Sequence, residues 1–267
     1  MKLTKILEQV YKKPWAILPS THQSIQDLLN RKLAGESMDF PLTEEEPLTQ
    51  IVGKVAVVNV AGVILPKASL LERTCGAFSL AEFKNEMASL LKNPSIETII
   101  LNIDSPGGVV TGLPEAAKFL AKVADEKNLV AFTDGQMCSA AYWLGCQAST
   151  LFATASSEVG SIGVYCAHID QTRAMELEGL KVDLFKGGKH KAMGFPGIPL
   201  TEEERGIIQA GVDKTYSQFK QAVLANRNVD DETMQGLTYD GDEALDLGLI
   251  DSIEDDLTKL IQFYNQS

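Results

Sequence analysis

The strongest constraint in this sequence is an alternation. Short runs of continuous apolar residues alternate with stretches whose apolar positions recur every three or four residues. Residues 55–64, 98–103 and 129–133 are of the first kind, and residues 79–91, 114–125 and 201–226 of the second. A strand that is apolar on both faces must be covered on both, and helices between successive parallel strands do this. The pattern predicts an α/β domain with a mostly parallel sheet flanked by helices. Short strands are also expected at 150–153, 163–167 and 182–185, and a helix over 139–146. Ser79, with Glu82 three residues on, reads as a capping box.

The start of the chain reads differently. Over residues 1–35 the apolar positions Leu3, Ile6, Leu7, Val10, Ile25, Leu28, Leu29 and Leu33 follow a helical period, and Pro14 and Pro19 divide the stretch into two short helices. His22 is expected on their surface. Residues 36–50 are acidic, hold Pro41 and Pro47, and read as a linker. The organisation expected is a helical extension with linker over 1–50 and one domain over 51–267.

Charge and cysteines remove several function classes. With 24 Lys and Arg against 36 Asp and Glu, the net charge is −12, which repels phosphate backbones, so no nucleic-acid surface is expected. Residues 55–65 are too few to span a bilayer, and residues 135–157 carry no charge but many Ser, Thr and Gln, so no membrane anchor is expected. The N-terminus has no continuous apolar signal core. Cys75, Cys138, Cys146 and Cys166 form neither a CxxC pair nor a zinc-ligand spacing, so no metal and no cofactor is expected. A reduced, cytoplasmic setting is the simplest reading.

Four elements could carry chemistry, and each has a plainer reading when taken alone. Ser105-Pro106-Gly107-Gly108 follows an apolar strand, where bare glycine amides can hold an oxyanion, but it is equally a strand-to-helix turn. Ser139, before Ala140-Ala141-Tyr142, sits at a helix start, where a nucleophile gains from the dipole and an N-cap gains as well. Gly160-Ser161-Ile162-Gly163-Val164 allows close backbone approach, and a bulge would explain it. Residues 186–191, Lys-Gly-Gly-Lys-His-Lys, offer a basic loop whose lysine becomes a general base only if burial lowers its pKa.

Taken in order, the four resemble the signal peptide peptidase A (protease IV) family of serine peptidases. The resemblance covers residues 54–255, including the closing Asp240-Gly241 and Leu247-Gly248-Leu249 with Asp251. Lys13-Pro14-Trp15-Ala16-Ile17-Leu18-Pro19 and the helix after it further resemble the N-terminal segment of the phage and prophage capsid maturation members. The resemblance implies a Clp protease/crotonase-like fold and a Ser–Lys dyad with Ser139 as nucleophile and Lys191 as base. It implies Gly107 and Gly108 as oxyanion donors, Ser161 as the residue orienting the lysine, and Gly160 and Ile162 beside the substrate. The partners implied are a peptide or protein substrate and further copies of the chain, in a bacterial cytoplasm or a phage prohead. Two positions depart from the family pattern. Alanines stand at 140 and 141 where glycines are usual, and Gly187 stands in place of a serine. Alternatives are Lys189 or His168 as base, a Cys138 thiol as nucleophile, a crotonase-like acyl-CoA enzyme, and an inactive assembly protein of the same fold.

Overall fold

A computed structural model describes residues 14–36, 47–68, 72–73 and 76–267. The first expected helix, Cys75 and most of the expected linker lie outside these residues.

The centre is a six-stranded sheet in the order β13 (Ser252–Ile253), β10 (Thr150–Ala153), β8 (Asn128–Thr133), β6 (Thr98–Asp104), β3 (Val55–Ala61) and β2 (Thr49–Val52). All neighbours are parallel except the antiparallel pair β2 and β3. Most residues of β3, β6 and β8 are buried on both faces, as their uninterrupted apolar runs require. The expected architecture, a mostly parallel sheet with flanking helices, is therefore present.

Two smaller sheets continue from the C-terminal ends of these strands. One has the order β1 (Trp15–Ile17), β7 (Gly107–Val109), β4 (Val63–Leu65) and β5 (Ala77–Ser79). The other has the order β12 (Thr238–Tyr239), β11 (Glu158–Gly160) and β9 (Gln136–Cys138).

The helices are α1 (Pro19–Leu33), α2 (Leu80–Lys92), α3 (Leu113–Glu126), α4 (Ala140–Gly145), α5 (Thr172–Leu177), α6 (Glu202–Leu224), α7 (Gly241–Asp246) and α8 (Leu257–Gln266). Only half of the capping box expected at α2 forms. Ser79 accepts from the Glu82 amide, while the Glu82 carboxylate pairs with Arg73 at 2.5 Å. At α6 the reciprocal box between Thr201 and Glu204 is complete. The C-terminal half of α6 belongs to the core, where Phe219 stacks on Trp143 at 4.5 Å between ring centroids. Its N-terminal half is largely exposed, Ile207 included.

Several expectations need correction. Residues 55–64 are not one strand, because the chain turns at Gly62, whose φ is 79°. A Cβ there would come within 1.8 Å of the Gly76 carbonyl oxygen. Residues 163–167 form only a single bridge, at Tyr165, and residues 182–185 form no regular element. Residues 15–17, inside the stretch expected to be helical, are a strand. Leu18 precedes Pro19, and a residue before proline is pushed to extended backbone. His22 is not on the surface: it is 4% exposed, and its Nδ1 is 2.7 Å from the Tyr165 hydroxyl.

Candidate active site

Ser139 stands between β9 and α4, past the end of the central strand β8. Its backbone is at φ 54°, ψ −116°, which few non-glycine residues adopt. It occupies the N-cap position, yet its side chain caps nothing. The hydroxyl instead donates to the Gly163 carbonyl at 3.5 Å, the outer limit of a hydrogen bond. The simple N-cap explanation of this serine therefore fails. The turn is fixed from behind, since the Ser139 amide donates to the Gly160 carbonyl at 2.7 Å and the Trp143 amide to the Ser139 carbonyl at 2.9 Å.

Gly107 forms the wall beside the nucleophile. A Cβ on it would meet the Ala16 carbonyl oxygen at 2.2 Å, and the Ile17 Cα and the Ser139 Cβ each at 3.0 Å. With φ at 103°, the position takes glycine on both steric and conformational grounds. Its amide donates to the Ser105 hydroxyl at 3.2 Å, and that hydroxyl donates to the Gly62 carbonyl at 2.7 Å. Ser105 is thus a buried brace for the glycine turn, a role its place in the SPGG run did not disclose.

Gly108 pairs with Ala16 in the antiparallel ladder of β1 and β7. Val110 donates to the Pro14 carbonyl and Leu18 to the Pro106 carbonyl. Bonded and non-bonded pairs alternate in such a ladder, so between these two links Ala16 and Gly108 are the bonded pair. Both amides expected to hold an oxyanion are therefore engaged, one by Ser105 and one by β1.

The Gly160 to Val164 run lies along the opposite side. Ser161 has a φ of 52° and its amide donates to the Leu237 carbonyl at 2.7 Å. Gly160 is paired on both edges, to Cys138 and to Thr238, so its backbone supports the nucleophile turn and offers no open edge. Ile162 is fully buried in the main core. The backbone beside the Ser139 hydroxyl is instead that of Gly163, whose carbonyl accepts it, and two residues on Tyr165 bridges to Trp15.

The profile of peptidase family S49 matches residues 121–262, just over half of the chain, and takes in α4, β11 and the lysine loop. The chain belongs to peptidase family S49. Capsid assembly protease C of Escherichia phage lambda is 30% identical over 76% of this chain and 47% of its own length. A putative signal peptide peptidase SppA of Enterococcus faecium is 29% identical over 75% of this chain and 60% of its own length. The chain thus spans about half to three fifths of these relatives. A ClpP1 mutant from Listeria monocytogenes has a TM-score of 0.47 at 13% identity, covering 76% of this chain and 94% of the other.

In this S49 chain no hydrogen bond joins a candidate base to the nucleophile, whose hydroxyl is bonded to Gly163. Lys191 lies on an exposed turn of the glycine loop, and no hydrogen bond joins it to Ser139 or Ser161. Its neighbour Ala192 has a φ of 70°. Among the described residues, Ser139, Ser161 and Ala192 are the three non-glycine residues with positive φ, and they fall on three of the four motifs that resemblance placed at the site. Lys189 is held by Glu203 at 2.5 Å, and His190 lies 3.6 Å from the same carboxylate. His168 has a buried Nε2 without a partner. The Asp170 carboxylate that could orient it is taken by Thr172, whose hydroxyl donates at 2.6 Å; this bond chiefly holds the carboxyl below its usual pKa.

Cys138 is buried, and its thiol donates to the Glu158 carbonyl. Burial, with the Glu158 charge adding to it, pushes the thiol far above its usual pKa. It stays protonated at neutral pH, which removes the thiolate a cysteine nucleophile needs. Among the described residues, no helix is long and apolar enough to cross a membrane, and no cluster of His, Cys, Asp and Glu could hold a metal.

Proposed function

We propose that this chain is a serine endopeptidase in which Ser139 is the nucleophile and Lys191 the general base. One observation carries the reading. Ser139 is a nearly buried serine in strained backbone, with a hydroxyl spared from capping and aimed between the Gly107 turn and the Gly163 carbonyl. Strain of this kind persists only where the surroundings hold it, and it collects at catalytic turns.

In this mechanism the glycine loop closes and brings Lys191 to Ser139. Lys191 as the free amine takes the hydroxyl proton while Oγ attacks the scissile carbonyl, and then returns that proton to the leaving amine. The amides of Gly107 and Gly108 turn to the oxyanion, and each such donor contributes roughly 3 kcal/mol to the transition state. Ser161 orients the lysine, Gly160 fixes the nucleophile turn, and Ile162 backs that turn from the core. Lys191 is preferred to Lys189 because Glu203 already holds Lys189. By similarity to the phage capsid assembly protease, we propose protein substrates of the capsid or scaffold class. We further propose a homo-oligomer working in the bacterial cytoplasm or the prohead, with no nucleic acid bound.

The unpartnered Nε2 of His168 supports one second reading, with His168 as base. Purified full-length chain and the variants Ser139→Ala, Lys191→Ala and His168→Ala, incubated with β-casein near pH 8, separate the two. Loss of cleavage in the first two variants alone supports the dyad. Loss in Ser139→Ala and His168→Ala alone transfers the base to His168, and cleavage by Ser139→Ala overturns the nucleophile. A fluorophosphonate probe that labels wild type but not Ser139→Ala separates a peptidase from a crotonase-like enzyme or an inactive scaffold.

A further inference from the structure

Strand β1 fills a groove that runs directly past Ser139. On one edge it is antiparallel to β7, with Ala16 opposite Gly108. On the other edge Trp15 exchanges two hydrogen bonds with Tyr165, at 2.9 and 3.0 Å, again antiparallel. On the β7 side the register places Ile17 opposite Gly107, where an added Cβ would lie 3.0 Å from the Ser139 Cβ; on the other side the pairing is the single Trp15–Tyr165 bridge, two residues beyond Gly163, whose carbonyl receives the Ser139 hydroxyl. The strand is hydrogen-bonded through its backbone on both edges and is buried throughout. This is how an extended peptide binds when it adds itself between two strand edges. Helix α1 fastens it there, through the hydrogen bond between His22 and Tyr165 and the Trp15 ring 5.0 Å from the His22 ring.

We propose that the groove between β7 and residues 163–165 is the binding site for an extended peptide, and that β1 is its resident occupant. An incoming peptide has to displace it. The inference rests on Ser139 as the nucleophile and adds to that reading how access is regulated. With β1 in place, the Gly108 amide is bonded to Ala16, and Ser139 is 1% exposed. The occupied state is therefore closed to substrate on two counts. The occupant also shows what the groove accepts: an uncharged strand, with a small residue paired to Gly108 and large apolar residues on either side of it.

Two measurements on the full chain test this. Ala16→Pro removes an amide that β1 needs in its ladder, and proline is poorly tolerated inside a paired strand. With occupancy lowered, the fraction of open molecules rises, and fluorophosphonate labelling of Ser139 and β-casein cleavage are expected to rise about tenfold. A synthetic peptide of residues 13–20, added in trans, is expected to reverse the gain. A folded Ala16→Pro chain, verified by circular dichroism, that labels no faster than wild type overturns the proposal.

The second measurement needs neither catalysis nor that variant to fold. Hydrogen exchange is followed over residues 14–22 of Ser139→Ala, with and without β-casein. Faster exchange with casein supports displacement, and unchanged exchange in the presence of saturating casein makes β1 a permanent wall. If neither wild type nor Ala16→Pro is labelled although casein speeds exchange, the Ser139 reading fails while the groove stands.

Discussion

At the scale of single residues, strain and fit make separable demands at Ser139 and Gly107. Ser139 holds a conformation that glycine adopts freely. Ser139→Gly is therefore expected to abolish cleavage and to unfold at a higher temperature than Ser139→Ala. A gain of about 1 kcal/mol, or about 2 °C in a melting experiment, is expected; equal melting temperatures would mean that the turn is unstrained. Gly107→Ala meets the opposite fate. Its Cβ would fall 2.2 Å from a carbonyl oxygen that belongs to a paired strand, at a φ that side chains rarely adopt. A loss of about 2–4 kcal/mol is expected together with loss of cleavage, readable as a shift in the urea midpoint with unchanged slope. The sequence displayed both residues as candidates, because small residues around a lone serine and a paired glycine are visible letters. It did not display the positive φ of Ser139, since nothing in a serine's chemistry announces a conformation imposed by the strand before it and the helix after it.

At the scale of elements, the strands of the central sheet were legible because burial on both faces leaves one apolar signature. The breaks were harder. Gly62 looked like an interior glycine of one long strand, and only the approach of Gly76 makes it a corner. Residues 15–17 carried no alternation long enough to read, and their partners are some 90 and 150 residues away in sequence, so local pattern could not reveal them. Helix ends are a more local matter. Thr201 and Glu204 cap α6 reciprocally, with Thr201 Oγ1 accepting from the Glu204 amide at 3.2 Å. Thr201→Ala is expected to cost about 1 kcal/mol, seen as a lower melting temperature, while the relative activity of the folded protein is unchanged. Loss of cleavage at full stability would instead connect this helix start to the lysine loop, through the Glu203 that holds Lys189.

At the scale of the whole molecule, one buried and one half-buried phenol link the site to distant parts of the chain. The Tyr142 hydroxyl, on the helix that Ser139 begins, donates to the Leu249 carbonyl at 2.8 Å and so ties the nucleophile helix to the closing segment. Tyr165 bonds His22 and ties the groove wall to α1. Burial raises both phenols: Tyr142 lies well above the usual value and Tyr165 is pushed up to about 12. An unfolded tyrosine loses its proton near pH 10. Between there and about 12 the folded chain holds protons that the unfolded chain has released, so stability falls as pH rises through that window and is complete below it. Melting temperatures measured from pH 8 upward are expected to stay level to about pH 10 and then drop. Tyr165→Phe is expected to start lower, because the bond to His22 is gone, but to drop less steeply. A slope above pH 10 that is identical in the variant would show that Tyr165 does not hold its proton through folding, and would take the alkaline sensitivity away from the groove wall and place it on Tyr142 in the core.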